Sequence, residues 1–195
     1  LGAFETYLRR GGDSGVGLLE VARTQFALDR PEAAESAYYA GAALHDPVAI
    51  ALYRQDLRYI ADSADLQSFD SASASALPVW LRAFWGRKGF AAGQLPGHRL
   101  AEHYRRYHYA WHHFHNWARV QKYEFMNVFR SNHTPFDDRG VVYIRHGLPD
   151  RIATSAPPPT SGPDNSEAHI PPNESWLYFR PTRDLIMNFV GGEAT

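Results

Sequence analysis

Cysteine is absent from the 195 residues, which excludes disulfides, thiolate metal sites and thiol nucleophiles. Any metal ion would have to rest on histidine and carboxylate side chains alone. No stretch reaches the roughly 18 consecutive apolar residues that mark a membrane-spanning helix, so no transmembrane segment is expected. Net charge is nearly missing too, at −1, and nucleic acid is not the favoured partner. No Gly-Lys-Ser or Gly-Lys-Thr phosphate loop occurs, and Gly15-Val16-Gly17 lacks the preceding strand and third glycine of a dinucleotide fingerprint. The chain opens on Leu1 rather than methionine, and a processed chain or a fragment is expected.

The chain does contain enough apolar material for a core, 44% hydrophobic and 14% aromatic residues. A domain of this length buries roughly 70% of its unfolded surface. The small net charge hides a division into three segments. Residues 1–80 carry −5, residues 81–122 carry +7 and residues 123–195 carry −3. A basic middle of this kind is expected to pack beside its acidic flanks.

The first half is written in helix periodicity. LLEVARTQFAL (18–28), PEAAESAYYAGAAL (31–44) and VAIALYRQDLRYIA (48–61) have apolar residues three and four apart, with Pro31 at a first helical position. DSADLQSFDSASASA (62–76) is polar and serine-rich, a connector or short helix and the expected domain boundary. ALPVWLRAFWGRKGF (76–90) returns to helix, AAGQLPG (91–97) is a turn, and a long helix starts at His98. Gly12-Asp13-Ser14-Gly15 copies a serine-protease nucleophile tetrapeptide, but it lies ahead of a helix, where Asp13 or Ser14 serves as a cap.

The long helix, HYRRYHYAWHHFHNW over 103–117, interleaves histidines with aromatic rings. Leu100, Tyr104, Tyr107, Trp111, Phe114 and Ala118 step by three and four to form a packing stripe. His108, His112 and His115 fall together on one rim of that stripe; His103, Arg106, Ala110, His113 and Trp117 fall on the other. The i, i+4 pair His108 and His112 has the spacing of a zinc-binding helix, with His115 as a third ligand and His146 or Asp138 as strand-borne additions. Rim histidines hydrogen-bonded to neighbours or stacked on aromatic rings are the commoner arrangement. With all ten histidines protonated the formal charge would reach +9, so properties should change near pH ~6.5.

Further on, KYEFMNVF (122–129) fits helix end or strand, VVYIR (141–145) alternates as a strand ending in the turn 146–150, and SWLYFR (175–180) with DLIMNFV (184–190) makes a hairpin across Pro181-Thr182-Arg183. ATSAPPPTSGPDNSEAHIPPNE between them reads as a long surface loop. Asp138, Arg139, Gly140 and Asp150 read as a structural turn lock, with an acid accepting backbone N–H bonds and an arginine in a forked pair.

FWGRKGF (84–90), AEHYRRYHYAWHHF (101–114), DDRGVVYIRHGLPDRI (137–152), ESWLYF (174–179) and LIMNFVGG (185–192), taken in order, resemble the bacterial GWxTD-domain family over residues 80–192. At the four positions of the naming motif only Asp138 agrees, with Thr134, Pro135 and Asp137 standing at its Gly, Trp and Thr. LDRPEAAESAYYAGAALHDP resembles one tetratricopeptide-type hairpin. The resemblance to the GWxTD family implies an architecture and an exported or envelope location, periplasmic for a bacterial chain, and no activity.

The expected protein is therefore α+β. A helical-hairpin region (1–75) precedes a GWxTD-like domain (76–195), in which a long aromatic helix packs on a small antiparallel sheet. The leading expectation for function is a non-catalytic interaction or scaffold subunit of a multi-subunit assembly, without cofactor. It would contact another protein through Trp117, Trp111, Arg106, Tyr107 and His113. The alternative is a zinc-binding domain or metal-dependent hydrolase centred on His108, His112 and His115.

Overall fold

The computed structural model describes residues 2–11, 14–115, 135–155 and 173–190. Asp13, Trp117, Ala118, KYEFMNVF, Thr134 and the proline-rich stretch 156–172 lie outside them. The architecture is α+β, helices followed by a three-stranded antiparallel sheet. Among the described residues no helix is long and apolar enough to cross a membrane.

Contacts divide the chain into two compact units, residues 1–115 and 116–195. The first holds α1 (Gly2–Arg9), α2 (Ser14–Ala27), α3 (Pro31–Ala43), α4 (Pro47–Leu57), α5 (Ser63–Ser71), a short 3₁₀ turn (Ala74–Ala76), α6 (Leu77–Ala91) and α7 (His98–His113). Its core is built from helix-spaced residues: Leu19, Ala22 and Phe26 of α2, Ala34, Tyr38 and Ala42 of α3, and Ala49, Tyr53 and Leu57 of α4. Leu77, Leu81, Phe84 and Trp85 of α6 and Leu100 and Tyr104 of α7 belong to the same cluster.

That continuity changes the expected division. The position 75/76 falls inside one hydrophobic core, and the serine-rich stretch is no linker. Asp62 and Asp65 close a capping box at the start of α5, Phe69 is buried, and Arg54 holds Asp70 while Lys88 and Arg87 hold Asp65. Reciprocal caps and one buried ring give a short polar sequence enough to be helical. The basic middle segment pairs with the acidic first part as its charge suggested, through Lys88 and Arg87 on Asp65 and through Arg105–Asp29.

The helix joints rely on left-handed residues. Asp29 ends α2 at φ +55°, and the Arg30 N–H reaches back to the Gln25 carbonyl at 2.9 Å. Gly93 at φ +66° ends α6 in the same way, with Gln94 N–H on Gly89 O. This is the six-residue closure that satisfies the last carbonyls of a helix.

The second unit contains α8 (Asp138–His146), β1 (Arg151–Ser155), β2 (Asn173–Tyr178) and β3 (Leu185–Val190), with β2 in the centre of the sheet. The hairpin over 175–190 forms as expected, pairing Trp176 with Met187 and Tyr178 with Leu185. VVYIR, however, is helical. Asp137 accepts the Gly140 N–H at 2.9 Å as an N-cap, Gly147 stops the helix at φ +83°, and Gly140 and Ile144 share a buried face at four-residue spacing. With both ends capped, tertiary burial outweighs the strand preference of Val and Ile.

Candidate functional site

The buried face of α7 organises the first unit. Asp56 of α4 is 1% exposed and lies in the fork of Arg23 from α2, with Arg23 Nη2 at 2.7 Å from both carboxylate oxygens and Nε at 3.1 Å from Oδ2. Tyr104 of α7 donates its hydroxyl to the same Oδ2 at 2.8 Å. Burial raises the Asp56 carboxyl pKa, against the opposing pull of Arg23 and Tyr104. Burial alone would lower Arg23, but Asp56 beside it holds the guanidinium charged, above its ordinary pKa. A second polar link runs from the Trp85 indole N–H to Tyr38 Oη at 3.1 Å, while Tyr53 donates to the Tyr38 carbonyl.

His103 is fully buried rather than at a rim. Its ring lies 5.1 Å from both Trp85 and Tyr104, and neither ring nitrogen has a hydrogen-bond partner among the described residues. Burial, reinforced by Arg99, Arg106 and Arg23, drives its pKa down to about 3. The cause of the displacement is that α7 packs against both α2 and α6. The covered sector is therefore broader than one stripe, and takes in His103 and Ala110.

Beyond Tyr104 the helix emerges. Tyr107 is half-buried beside Tyr59 at 5.9 Å and beneath the Arg23 guanidinium at 6.0 Å. Trp111, 39% exposed, stacks on Tyr107 at 15°. His113 is exposed and stacks on Tyr109 with centroids 4.0 Å apart. Arg106 is partly covered and pairs with Glu102, which also receives Arg99 and Gln94. Of the expected contact residues, Trp111 and His113 thus face solvent, Tyr107 and Arg106 lie at the edge of the packed face, and Trp117 lies outside the described residues.

Of the three candidate metal ligands, two converge. His108 Nε2 and His112 Nε2 are 3.1 Å apart on the exposed side, and partial burial together with His112 holds His108 below its ordinary pKa. The His115 ring instead packs on Trp111 at 4.3 Å. Among the described residues no three His, Cys, Asp or Glu side chains gather where they could hold a metal ion. A groove of about 660 Å³ between α3 and α6 is lined by Glu32, Glu35, Tyr39 and Arg82, and Arg82 already covers the Tyr39 ring at 4.2 Å.

Comparison with protein-family models, curated proteins and solved structures finds no match to this chain.

In the second unit, the positions read as a turn lock are tied to the sheet. Arg139 pairs with Asp137 at 2.8 Å and with Glu174 of β2 at 3.1 Å, and Asp150 accepts the Phe179 N–H at 2.7 Å. Asp138 sits in the first turn of α8, while Asp137 carries the cap. Asp137 and Glu174 were not singled out from sequence. Nor were Arg23 and Asp56, although a signal was present. Both stand at core spacing, Arg23 between Leu19 and Phe26 and Asp56 between Tyr53 and Leu57, where an ionic residue implies a buried pair.

Proposed function

We propose that the chain is a non-catalytic interaction or scaffold subunit of a bacterial, envelope-associated assembly, and that it docks another protein through the outer half of α7. The observation that carries this reading is the change along one helix. Its first half is sealed into the core through Leu100, His103 and Tyr104, whereas the following turns direct Tyr109, Trp111 and His113 toward solvent. Large aromatic rings and partly covered arginines are the side chains that dominate binding energy at protein interfaces. The histidine- and aromatic-rich helix on a rigid bundle offers them with little ordering cost. The resemblance to the GWxTD family supports the envelope location.

A photo-crosslinking amino acid placed at Trp111 or His113 in the producing bacterium should trap one defined partner, and the same group at Glu32 or Ser71 should not. Binding of that partner should weaken by about 30-fold in Trp111→Ser, the effect of losing roughly 2 kcal/mol at an interface anchor, with an unchanged melting temperature. Absence of adducts from both α7 positions would overturn the reading.

A further inference from the structure

The exposed side of α7 carries a second feature that the docking reading does not use and that stands independently of it. His108 and His112 are one helical turn apart, and their Nε2 atoms point at each other across 3.1 Å, with ring centroids 4.5 Å apart. In a tetrahedral zinc site the nitrogens lie about 2.0–2.1 Å from the ion, which sets two of them about 3.3–3.4 Å apart. The observed separation thus needs only a slight spreading of the two rings to admit an ion between them.

We infer that His108 and His112 form a two-imidazole chelate for a divalent transition-metal ion such as Zn²⁺. In the metal-free protein the two nitrogens share one proton, one Nε2–H donating to the other Nε2. For an ion to enter, the donating ring shifts its proton from Nε2 to Nδ1 by exchange with solvent, so that both rings stay neutral, no net proton is released, and the ion is held by both Nε2 lone pairs. Both ligands are neutral imidazoles, and among the described residues no Asp or Glu side chain joins them in a three-ligand group, which favours zinc, copper or nickel over magnesium or calcium. The pair is exposed, so the ion has an open path, and its remaining coordination positions are filled by water. Because the ligands are i and i+4 on one helix, binding also staples the last turns of α7 in helical form.

The test uses the untagged full chain, with Zn²⁺ titrated in competition with a chromophoric chelator, and His108→Ala, His112→Ala and His113→Ala as variants. His113 is exposed on the same turn but stacks on Tyr109, so its variant controls for the general histidine content of the segment. One saturable equivalent of zinc is expected, weakened more than about tenfold by either His108→Ala or His112→Ala, since one of the two Zn–N bonds is lost. His113→Ala should leave it unchanged. Zinc should raise the melting temperature of the wild type and of His113→Ala, and not of the other two. Absence of saturable binding, binding indifferent to His108 and His112, or equal weakening by all three substitutions would each overturn the assignment.

Discussion

Asp56→Ala removes the acceptor at the centre of the α2–α4–α7 junction and leaves two groups stranded. The Arg23 side chain, only 20% exposed, loses its buried counter-ion, and the Tyr104 hydroxyl loses its acceptor. Breaking a buried ion pair from one side costs about 3–5 kcal/mol, because the remaining charge stays desolvated. Arg23 keeps Glu20 as a partner, which puts the expected loss at the lower end, about 3 kcal/mol. Domains of this size have about 5–15 kcal/mol of stability in total, so the variant should fold but lower its urea midpoint clearly. The informative companion is Arg23→Met with Asp56→Leu, which replaces both charges by apolar groups of similar bulk and should recover most of the loss. The two single variants and the double variant form a cycle in equilibrium urea unfolding, followed by tryptophan fluorescence. A loss below about 1 kcal/mol for Asp56→Ala, or single-variant losses that simply add in the double variant, would refute the claim that the three helices are joined through this carboxylate.

Two further outcomes follow from neighbouring residues. His103 is held down to about 3 in the folded protein, whereas an unfolded histidine titrates near ~6.5. Between these values the unfolded chain binds the extra proton, so the neutral ring's contribution is complete above pH ~6.5 and declines by up to about 1.4 kcal/mol per pH unit as the pH falls toward 3. His103→Phe should flatten the urea midpoint between pH 7.5 and 5, and an unaltered slope would show that the buried imidazole is not responsible. At Gly41 a methyl group would meet the Tyr53 hydroxyl at 2.9 Å, Leu18 Cβ at 3.1 Å and the Gly15 carbonyl at 3.2 Å. Gly41→Ala should therefore destabilise by about 1–3 kcal/mol despite its better helix propensity, and a variant as stable as wild type would contradict the close crossing of α2 and α3.

Periodicity found the helices wherever one face is buried and the other wet, as in α3 and α4, whose core residues recur every four positions. It found the final hairpin for the matching reason, since Trp176 and Tyr178 alternate inward on β2. It failed where local chemistry at the element's ends decided the outcome. The capping box of α5 settles as helix a stretch whose composition left connector and short helix both open, and Asp137 with Gly147 turns an alternating VVYIR into helix. The histidine helix shows another gap. A single stripe places His103 at a rim, but two packing partners widen the buried sector, and only the neighbouring helices reveal that. Asp56 and Arg23 could have been paired from their core spacing, although which of the other buried groups joins them depends on α7, 48 residues away in sequence for Tyr104.

The carboxylate of Asp56 also bears on how the chain can be dissected. In a stacked array of helical hairpins each repeat touches only its neighbours, and terminal repeats can be trimmed with graded losses. Here a residue of α4 is satisfied jointly by α2 and by Tyr104 of α7, the last helix of the first unit, so no segment ending at residue 75 contains a complete set of partners for it. Helices α2 to α7 should accordingly melt in one transition, and an expression boundary that respects the protein's physics lies after residue 115 rather than in the serine-rich stretch.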